Sequence, residues 1–578
     1  MKQHEIAAIF SRMADLLEFQ GDNPFRIRAY RRAAQNLESF SADLEALVAV
    51  GRLRDIPGIG EDLAEKIREY CMTGTIPAFE RLQASVPKGV LQLLEVPGLG
   101  PKTARVLTTR LGVTTLDQLE AAAQQHRLQR LPGFKARKEQ NLLKGIGIVR
   151  RGRERLHLGV ALPLANDLLA FLQKVPGVTR ASTAGSLRRM KETIGDLDLL
   201  VASRRPSRVM SAFTSAPFCA RVLAAGTTKS SILARDGLQV DLRVVAPDCF
   251  GAALQYFTGS KEHNVQLREF AARRGLKVNE YGVFRVSTNR RLAGREEEDV
   301  YRTLGLPWIA PELREAQGEL EAAQAHRLPS LVEAKQLRGD FHIHTNWSDG
   351  SNRLEEMVRA AERHGYEYIA ICDHSPSLKV AHGMSVERLR QQMRQVQELN
   401  RRLKRLRVLT GAEVDILGNG AMDYPDAVLA QLDFVVGSLH SGFGQGKAAL
   451  TRRLVKAMEN PYVTLIGHPT GRLMGQREPY EVDLEAVYQA ARRTGTALEI
   501  NAYPKRLDLS DTAARRAHDM GAMLAISTDS HSVDQLDQIM FGLGVARRAW
   551  CEPKHLLNTR PRSQLCAWIA QKRRRRNP

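Results

Sequence analysis

Two aspartates, Asp196 and Asp198, stand one residue apart at the start of an apolar stretch that ends in Leu-Leu-Val-Ala. Residues i and i+2 of a strand point to the same face, so we expect the two carboxylates to lie side by side. A bare carboxylate is costly to bury, and two negative charges at close range repel each other. A bound divalent cation would relieve both costs, so the pattern predicts a metal site.

A third aspartate, Asp241, falls within another apolar strand pattern, "VDLRV". Three carboxylates around one cavity suit two Mg²⁺ or Mn²⁺ ions, which accept oxygen ligands. Two such ions activate an attacking hydroxyl and neutralise a leaving pyrophosphate. The upstream pair Gly185 and Ser186 predicts a small loop that a triphosphate can approach, and Arg188 and Arg189 add positive charge there.

A second set of metal-ligand residue types occurs in the last third of the chain. Imidazole suits zinc, manganese or iron, and carboxylates can bridge two ions. Nine ligands are too many for one tetrahedral zinc and predict a cluster of two or three metals. Such a cluster generates hydroxide and holds phosphate oxygens, as phosphoesterase chemistry requires. The nine residues are His342, His344, Asp349, His374, Glu413, His440, His468, Asp529 and His531.

The elements that must position these nine residues are seven short apolar runs, each ending in polar residues. Helical stretches separate most of the runs, and repeating strand–helix units predict a parallel (β/α)7 barrel. The active site of such a barrel lies at the carboxyl ends of the strands, where the polar residues occur. The runs are "GDFHIHTNWSDG", "YEYIAICDHS", "RVLTGAEVD", "LDFVVGSLHS", "YVTLIGHPT", "TALEINAYP" and "AMLAISTDSH".

Ahead of the barrel, from about Gly159, strand-like alternation occurs in "GVTRASTAGS", "GDLDLLVAS", "LQVDLRVVAP" and "GVFRVS", with helical stretches between. This pattern predicts an α+β domain built on a sheet. The charged, alanine-rich stretch from Pro311 to Gln336 predicts a helix and a linker.

The N-terminal region contains an internal repeat, with "IPGIGEDLAEKI" at Ile56, "VPGLGPKTARVL" at Val96 and a degenerate "LPGFKARKEQNL" at Leu131. Glycine permits a tight turn and leaves N–H groups exposed at a helix start, which is a phosphate site. We therefore predict α-helical helix-hairpin-helix domains that grip the DNA backbone without reading bases. The glycines that carry this prediction are Gly58, Gly60, Gly98 and Gly100.

Composition favours a polyanion as partner. The 578 residues suggest about four domains. Lysine and arginine total 85 against 64 acidic residues, a net charge of +21, which indicates nucleic acid first and an anionic membrane second. There is no apolar run of about 20 residues and no signal-peptide pattern. The six scattered cysteines form no CxxC pair, so we expect free thiols and a cytoplasmic protein.

The aspartate-containing region resembles the nucleotidyltransferase palm of X-family DNA polymerases, the family of DNA polymerase beta. The resemblance rests on Gly185-Ser186, the "GDLD" motif and Asp241, the third strand aspartate. "YFTGS" at Tyr256 to Ser260 is similar to the deoxynucleotide and sugar-discriminating segment, and "NEYGVF" from Asn279 resembles the thumb. The resemblance extends over about residues 1–315.

This resemblance implies that Asp196, Asp198 and Asp241 are metal ligands and that Asp241 is the general base for the primer 3′-hydroxyl. It implies that Ser186 and Arg189 contact the triphosphate and that Gly259 excludes a ribose hydroxyl. The full nucleotide-binding set it implies is Gly185, Ser186, Arg189, Gly195, Tyr256, Phe257, Gly259 and Asn264.

Two positions depart from the family pattern. Lys261 stands where the best-known relative has an acid, which leaves contacts to the base open. In the family, a lysine of the first helix-hairpin-helix forms a Schiff base with an abasic sugar, and Lys66 fits that position. A neighbouring basic position is Asp62 here, so a lyase and an ordinary helix lysine are both open readings.

The barrel residues resemble a PHP (polymerase and histidinol phosphatase) domain over about residues 337–570, with all nine ligand positions intact. Fused to an X-family core, this region is similar to the bacterial and archaeal X-family polymerases. The resemblance implies two or three Mn²⁺, Zn²⁺ or iron ions and a manganese-favouring 3′→5′ exonuclease. It also implies that abasic-site or 3′-phosphate processing is open to the same site.

The sequence therefore predicts a monomeric repair polymerase acting on gapped or primer-template DNA with deoxynucleoside triphosphates, near the nucleoid. The alternatives are a DNA-binding scaffold with an inactive core and a small-molecule phosphatase that uses the barrel alone. The expected order is the first helix-hairpin-helix domain (1–85), fingers (86–155), palm (156–250), thumb (251–315), linker (316–336), PHP domain (337–570) and a basic tail (571–578) that contacts phosphate or is solvated.

Overall fold

The computed structural model describes residues 2–38, 44–56, 58–87, 89–96, 98–131, 134–235 and 237–574. The chain divides into two compact units. The first contains the residues up to Arg153 together with the short segments Asp349–Arg353 and Leu473–Glu478, and the second contains the remainder. Among the described residues, no helix is both long enough and apolar enough to cross a lipid bilayer.

The first unit is built from α-helices, which confirms the predicted helical class. Phe10 and Tyr30 pack edge to face, 5.5 Å apart, in one apolar cluster, and Leu93 and Leu107 belong to a second cluster. The described helices are α1 (Lys2–Gln20), α2 (Pro24–Glu38), α3 (Leu44–Ala49), α4 (Glu61–Thr73), α5 (Pro77–Ala84), α6 (Val90–Leu94), α7 (Pro101–Leu111), α8 (Leu116–Gln124) and α9 (Ala136–Glu154).

The repeated glycines form the two helix-hairpin-helix turns. Gly58 and Gly98 have φ angles of +79° and +82°, in the left-handed region that glycine adopts without strain. Gly60 and Gly100 are the N-cap residues of α4 and α7. Each turn therefore ends where a helix presents its first backbone N–H groups. In the third copy, the proline and glycine lie outside the described residues.

The second unit begins with the α+β region. Its elements are β1 (Leu156–His157), α10 (Leu158–Gln173), β2 (Val178–Thr183), α11 (Gly185–Arg188), β3 (Thr193–Ile194), β4 (Asp196–Ser203), α12 (Pro206–Thr214), β5 (Cys219–Ala225), β6 (Lys229–Ala234), β7 (Gln239–Val245), α13 (Phe250–Thr258), α14 (Lys261–Ala272), β8 (Leu276–Asn279), β9 (Gly282–Arg285), β10 (Arg291–Ala293), α15 (Glu297–Thr303) and α16 (Glu319–Gln324).

The five-stranded palm sheet has the order β2-β4-β7-β6-β5. Its central strands β4 and β7 are parallel, and the other neighbours are antiparallel. Leu197, Leu199 and Val201 of β4 are buried in the apolar cluster that also contains Leu168 of α10. The sheet thus holds the two aspartate-bearing strands side by side at its centre.

Strands β5 and β6 are absent from the sequence-based prediction. β5 pairs only with β6 at the sheet edge, and Val222 and Leu223 on it are both about two-fifths exposed, at 42% and 41%. An edge strand that buries neither face carries no alternation of apolar and polar residues, so its sequence gives no strand signal.

The charged stretch from Pro311 to Gln336 contains a short helix, as predicted, and carries buried charged residues near its start; the linker at 316–336 stays a prediction. The only α-helix described within it is the six-residue α16. Arg314 is fully buried and donates to Glu297 Oε1 at 2.7 Å. Glu319 is also fully buried and lies 2.7 Å from His263 Nδ1. These two charged side chains thus belong to the interior of the thumb region, whereas Glu333 and Lys335 later in the stretch are exposed.

Glu297 is the centre of a buried ion-pair network. Arg188 donates to both of its carboxylate oxygens, at 2.7 and 2.8 Å, and Trp308 Nε1 donates at 3.0 Å. Burial alone would raise the pKa of Glu297, but the guanidinium groups of Arg314 and Arg188 outweigh it and hold the pKa below its usual range. The network joins α11 of the palm to the segment beyond α15.

The last part of the second unit is the predicted seven-stranded parallel barrel, with strands in chain order from β11 to β17. An isolated parallel bridge between Ile343 and Ser530 brings the first and last strands together. The elements are β11 (Gly339–Ile343), α17 (Leu354–Arg363), β12 (Tyr368–Ile371), α18 (Val386–Arg402), β13 (Arg407–Asp415), α19 (Asp426–Leu429), β14 (Phe434–Ser438), α20 (Lys447–Glu459), β15 (Leu465–Ile466), α21 (Leu484–Thr494), β16 (Ala497–Asn501), α22 (Asp511–Asp519), β17 (Leu524–Ser527), α23 (Ile539–Arg548) and α24 (Arg562–Arg574).

The predicted basic tail, 571–578, begins inside a helix. α24 continues to Arg574, and Lys572 is buried and donates to the carbonyl oxygen of Met458 at 3.1 Å. The first residues of the tail therefore pack on the barrel, and residues 575–578 lie outside the described residues.

Glu297→Ala should lower the free energy of unfolding by about 3 to 5 kcal/mol, because the buried guanidinium of Arg314 and the half-buried one of Arg188 lose their counterion. Since the folded pKa of Glu297 is lowered, its contribution is complete above the ordinary glutamate pKa and is lost as the pH falls through the folded value. Urea unfolding followed by tryptophan fluorescence tests this expectation. The matched control is Glu298→Ala at the exposed neighbouring position, and an equal loss in both variants would contradict the assignment.

Candidate active sites

The three predicted carboxylates come together on the two central strands of the palm. Asp198 of β4 lies directly opposite Asp241 of β7, and Asp196 lies opposite Gln239; adjacent strands are about 4.8 Å apart. Asp196 is exposed, and the other two aspartates are half-buried. The buried residues of β4 are thus Leu197 and the residues after Asp198, whereas the two carboxylates lie at the accessible start of the strand.

The two half-buried aspartates, Asp198 and Asp241, have pKa values shifted in opposite directions. Burial, together with the negative charges of Asp196 and Asp241, raises the pKa of Asp198 to about 7. Burial acts in the same direction on Asp241, but hydrogen bonds from Gln239, Ser231 and Lys229 outweigh it and lower its pKa. Gln239 Nε2 lies 2.9 Å from Asp241 Oδ1, and Lys229 Nζ lies 3.1 Å from Oδ2. The carboxylates carry charge that a divalent cation would neutralise, so the donor set fits Mg²⁺ or Mn²⁺.

The predicted phosphate loop lies against this carboxylate pair. Gly185 has a φ angle of +57°, and a Cβ atom at this position would meet Asp198 Oδ2 at 2.0 Å. Only glycine therefore allows the backbone to approach the carboxylate so closely. Ser186 follows in α11 and is half-exposed. Gly195 lies between β3 and β4 and directly precedes Asp196, the first residue of the strand that carries the acid pair.

The two arginines of the loop have different surroundings. Arg188 donates to Glu297 and to the Thr258 hydroxyl, the latter at 2.6 Å, and the expectation that it adds charge for a triphosphate stays a prediction. Arg189 Nε donates to Glu315 at 3.0 Å, and its Nη1 donates to the carbonyl oxygen of Thr258. Both arginines thus connect the phosphate loop to Thr258 at the end of α13, but they pair with different acids, Glu297 and Glu315.

The predicted sugar segment continues from that point. Tyr256 and Phe257 are half-buried and pack edge to face, with ring centroids 5.1 Å apart. A Cβ atom on Gly259 would lie 3.2 Å from Arg189 Nη1. Asn264 is buried and donates to the carbonyl oxygen of Tyr256 at 2.7 Å. Asn264 therefore fixes the backbone of the segment from beneath.

In the barrel, Glu413 is the point at which the histidines converge. Its carboxylate is almost completely buried, and five imidazoles surround it. The distances from its oxygens are 2.8 Å to His374 Nδ1, 3.0 Å to His468 Nε2, 3.3 Å to His440 Nε2, 3.4 Å to His342 Nε2 and 3.7 Å to His344 Nε2. One carboxylate in contact with so many imidazoles is the arrangement expected of a bridging metal ligand.

Asp529 forms a second centre. Its Oδ1 atom lies 3.2 Å from His344 Nε2 and 3.8 Å from His342 Nε2. Asp349 belongs to a segment of the first unit, and its role as a ligand stays a prediction. Among the predicted ligands of the second unit, atoms within 4.8 Å of one another form three groups, which are His342, His344 and Asp529; His374, Glu413 and His440; and His344, His374 and His531.

Protonation in the barrel follows these contacts. Although burial opposes it, the charges of Glu413 and Asp415 raise the pKa of His440 to about 9. Burial and the neighbouring His531 and His374 lower the pKa of His344 to about 4. Two imidazoles that both face Glu413 thus have pKa values shifted in opposite directions. Metal cations favour the neutral imidazole and the ionised carboxylate throughout, so the donor set fits a metal cluster.

Two further carboxylates orient the histidines and were missed by the sequence analysis. Glu499 of β16 lies 2.8 Å from His342 Nδ1, and Asp415 of β13 lies 2.5 Å from His440 Nδ1. His342 Nε2 is buried without a hydrogen-bond partner among the described residues. A carboxylate that binds one ring nitrogen and leaves the other for a metal is the usual second contact of metal-bound histidine. The sequence signal that could have identified Glu499 and Asp415 is an acidic residue within an otherwise apolar strand.

Comparison with known families assigns most of the chain. Residues 253–315 match the DNA polymerase beta thumb, and residues 340–502 match the PHP domain. Residues 1–76 match a helix-hairpin-helix domain, and residues 90–147 match a SAM-like helix-hairpin-helix tandem. The "DNA polymerase/3'-5' exonuclease PolX" of Bacillus subtilis is 38% identical over 571 residues, which cover 98% of this chain and 99% of the relative. The chain belongs to the PolX family.

Shorter relatives match part of this PolX-family chain. A "Probable phosphatase" of Thermoanaerobacter sp. is 28% identical over 232 residues, covering 38% of the chain and 89% of the relative. Another "Probable phosphatase", of Syntrophotalea carbinolica, is 29% identical over 230 residues, covering 38% of the chain and 90% of the relative.

Glu413→Gln should remove most of the manganese that the PolX-family barrel retains after incubation with Mn²⁺ and dialysis, because the amide loses the charge that five imidazoles share. Elemental analysis of the dialysed protein measures the metal content. Glu398→Gln, at an exposed position of α18, is the matched control and should retain the wild-type amount. Retention of full metal content in Glu413→Gln would show that the ions bind elsewhere.

Proposed function

We propose that this chain fills short gaps in DNA during repair with its palm site and removes nucleotides from 3′ ends with its barrel site. The main support is that one PolX-family chain contains two separate clusters of ligand-type side chains. The cluster on the palm sheet consists of carboxylates, and the cluster in the barrel consists of carboxylates and imidazoles. The alternatives of an inactive scaffold and a small-molecule phosphatase each leave one of these clusters without a role.

In the palm, we assign Asp196, Asp198 and Asp241 as ligands for two Mg²⁺ or Mn²⁺ ions. When bound, the ions neutralise the pyrophosphate and the acids. We assign Asp241 as the acceptor of the proton of the primer 3′-hydroxyl; its lowered pKa means that the carboxylate is ionised and free of its own proton. It receives hydrogen bonds from Gln239 and Lys229, which orient the carboxylate before the substrate arrives.

Nucleotide binding is assigned to the surfaces around this acid cluster. Arg189 and Ser186 hold the triphosphate, with Gly185 and Gly195 allowing the close backbone approach. Tyr256 and Phe257 pack beside the sugar, and Gly259 leaves no room for a ribose hydroxyl. Asn264 contributes by holding the carbonyl oxygen of Tyr256 in place.

In the barrel, we assign the nine predicted residues, Asp349 included, as ligands of two or three metal ions. When bound, the ions supply a hydroxide and hold phosphate oxygens. The chain's own contribution is to fix the imidazoles through Glu499 and Asp415. Imidazole-rich sites favour manganese, zinc or iron over magnesium. Abasic sites and 3′-phosphates are further substrates open to the same chemistry.

We do not propose lyase activity for Lys66. Its Nζ atom lies 2.5 Å from Asp62 Oδ1, and the side chain is only 11% exposed. An amine held in an ion pair must break it before it can attack a sugar carbonyl. Asp62, which stands where the family has a basic residue, thus pairs with the lysine that the lyase reaction would need. The monomeric state and a location at the nucleoid in the cytoplasm remain predictions.

Asp198→Ala should abolish nucleotide incorporation on gapped DNA while leaving 3′-end degradation near the wild-type rate. His344→Ala and Asp529→Ala should do the reverse, because the two ligand sets lie on different sheets. A labelled-primer assay with and without nucleotides, in Mg²⁺ and in Mn²⁺, measures both activities. Exonuclease that persists in His344→Ala would place the nuclease elsewhere, and thermal melts identify variants that have lost their fold.

DNA binding should be independent of sequence, with log K falling linearly against log salt by about 0.9 per phosphate neutralised. Gly98→Ala should weaken binding several-fold, because alanine disfavours the positive φ that presents the turn amides. Gly112→Ala is the matched control, since Gly112 has a φ of +68° but caps the other end of α7. Anisotropy titrations at several salt concentrations measure both effects, and a flat salt dependence would exclude phosphate-dominated binding.

A further inference from the structure

The palm loop formed by residues 189–192 is held by the barrel. Arg548, the last residue of α23, donates through Nη1 to the carbonyl oxygen of Arg189 at 2.8 Å. Arg472, which follows β15, donates to Glu192 at 2.7 Å. This loop joins the phosphate-binding helix α11 to β3 and the acid pair, so the barrel contacts the polymerase site at its connecting segment.

One face of α23 makes the apolar part of the same contact. Phe541, Gly544 and Arg548 are spaced three and four residues apart and therefore lie on one side of the helix. Phe541 packs against the apolar core of the palm. A Cβ atom on Gly544 would meet Met190 Cε at 2.7 Å, so the helix backbone lies directly against the loop.

Glu315 connects the barrel arginine to the nucleotide-site arginine. Its Oε1 atom accepts from Arg189 Nε at 3.0 Å and from Arg548 Nη1 at 2.8 Å. The three side chains are only 14%, 12% and 4% exposed, in that order. Burial would raise the pKa of Glu315, but the two guanidinium groups outweigh it and lower the pKa. The carboxylate therefore remains charged between them.

Arg548 is itself fixed from within the barrel. Asp511, the first residue of α22, accepts from Arg548 Nε at 2.8 Å and lies 2.7 Å from Nη2. The result is a continuous chain of contacts, Asp511 to Arg548 to Glu315 to Arg189. An arginine side chain loses about 2 kcal/mol of rotamer entropy when it is fixed. A guanidinium that neighbours already hold presents its donors to a phosphate without that cost.

We propose that the barrel is a structural component of the polymerase site, with Arg548 and Glu315 acting as positioning residues for Arg189. The proposal rests on the proposed function, in which Arg189 contacts the triphosphate. It assigns to the barrel a second task that is independent of its own metal cluster: it sets the affinity of the palm for the incoming nucleotide.

Arg548→Ala in the full-length chain should raise the KM for deoxynucleoside triphosphate roughly tenfold in gap filling, a size typical of coupled neighbouring side chains. The kcat value and the exonuclease rate should change less than about twofold, because neither metal site is touched. Glu315→Gln, which keeps the side-chain volume, should raise KM in the same way and guards against loss of folding in the alanine variant.

The matched control is Arg547→Ala. Arg547 also lies on α23, is 20% exposed and pairs with Glu312 at 2.7 Å, but it donates to Val332 rather than to the palm loop. A general loosening of the barrel contact would raise KM equally in Arg547→Ala, and that result would overturn the proposal. Unchanged KM in both Arg548→Ala and Glu315→Gln would overturn it as well.

A double variant decides whether Arg548 acts through Arg189. If it does, Arg189→Ala combined with Arg548→Ala should have the same KM as Arg189→Ala alone, whereas independent roles would multiply the two effects. Failure of the proposed function looks different: the wild-type chain would not incorporate nucleotides, or Arg189→Ala would leave KM unchanged. Failure of the present proposal would leave Arg189→Ala impaired and Arg548→Ala normal.

Discussion

Negative charge gathered in a small volume must be neutralised, and much of this structure can be understood from how each acid finds its counter-charge. On the palm, Asp241 has Lys229 and Gln239, while burial and the neighbouring acids Asp196 and Asp241 raise the pKa of Asp198 to about 7. In the barrel, imidazoles surround the acids and share their charge. In the thumb region, arginines neutralise Glu297. Arginine-paired acids such as Glu297 build the scaffold, whereas acids that gather beside other acids or imidazoles mark where a metal ion fits.

The barrel was predictable from the sequence because its strands are apolar runs that end in polar residues, while the assignment of these residues as metal ligands stays a prediction. A histidine or acid at the end of a buried strand has few structural explanations, so residues such as His342 and Glu413 stand out. The edge strand β5 was not recognisable in the sequence, because it buries neither face. Glu499 was overlooked because it holds a histidine rather than a metal, and only the fold shows that His342 lies beside it.

Ion pairs between distant positions could not be predicted for a different reason. A charged residue in a charged stretch has the same composition whether it is solvated or buried, and the stretch from Pro311 to Gln336 appeared to be a linker. Its partners lie far away in the sequence: Arg188 and Glu297 are 109 residues apart, and Glu315 and Arg548 are 233 apart. Spacing and periodicity carry no information about such pairs, which depend on how the sheet and the barrel pack.

The seating of α23 against the palm affects how this architecture can be divided or exchanged. A polymerase made by cutting the chain before β11 would keep every residue of its acid cluster but would leave Glu315 facing water and Met190 uncovered, where Gly544 now lies. The truncated enzyme would thus be an altered catalyst, so its poor nucleotide use would say little about the barrel's own chemistry. Grafting another barrel onto this palm would likewise require the face of α23 to be transferred with it.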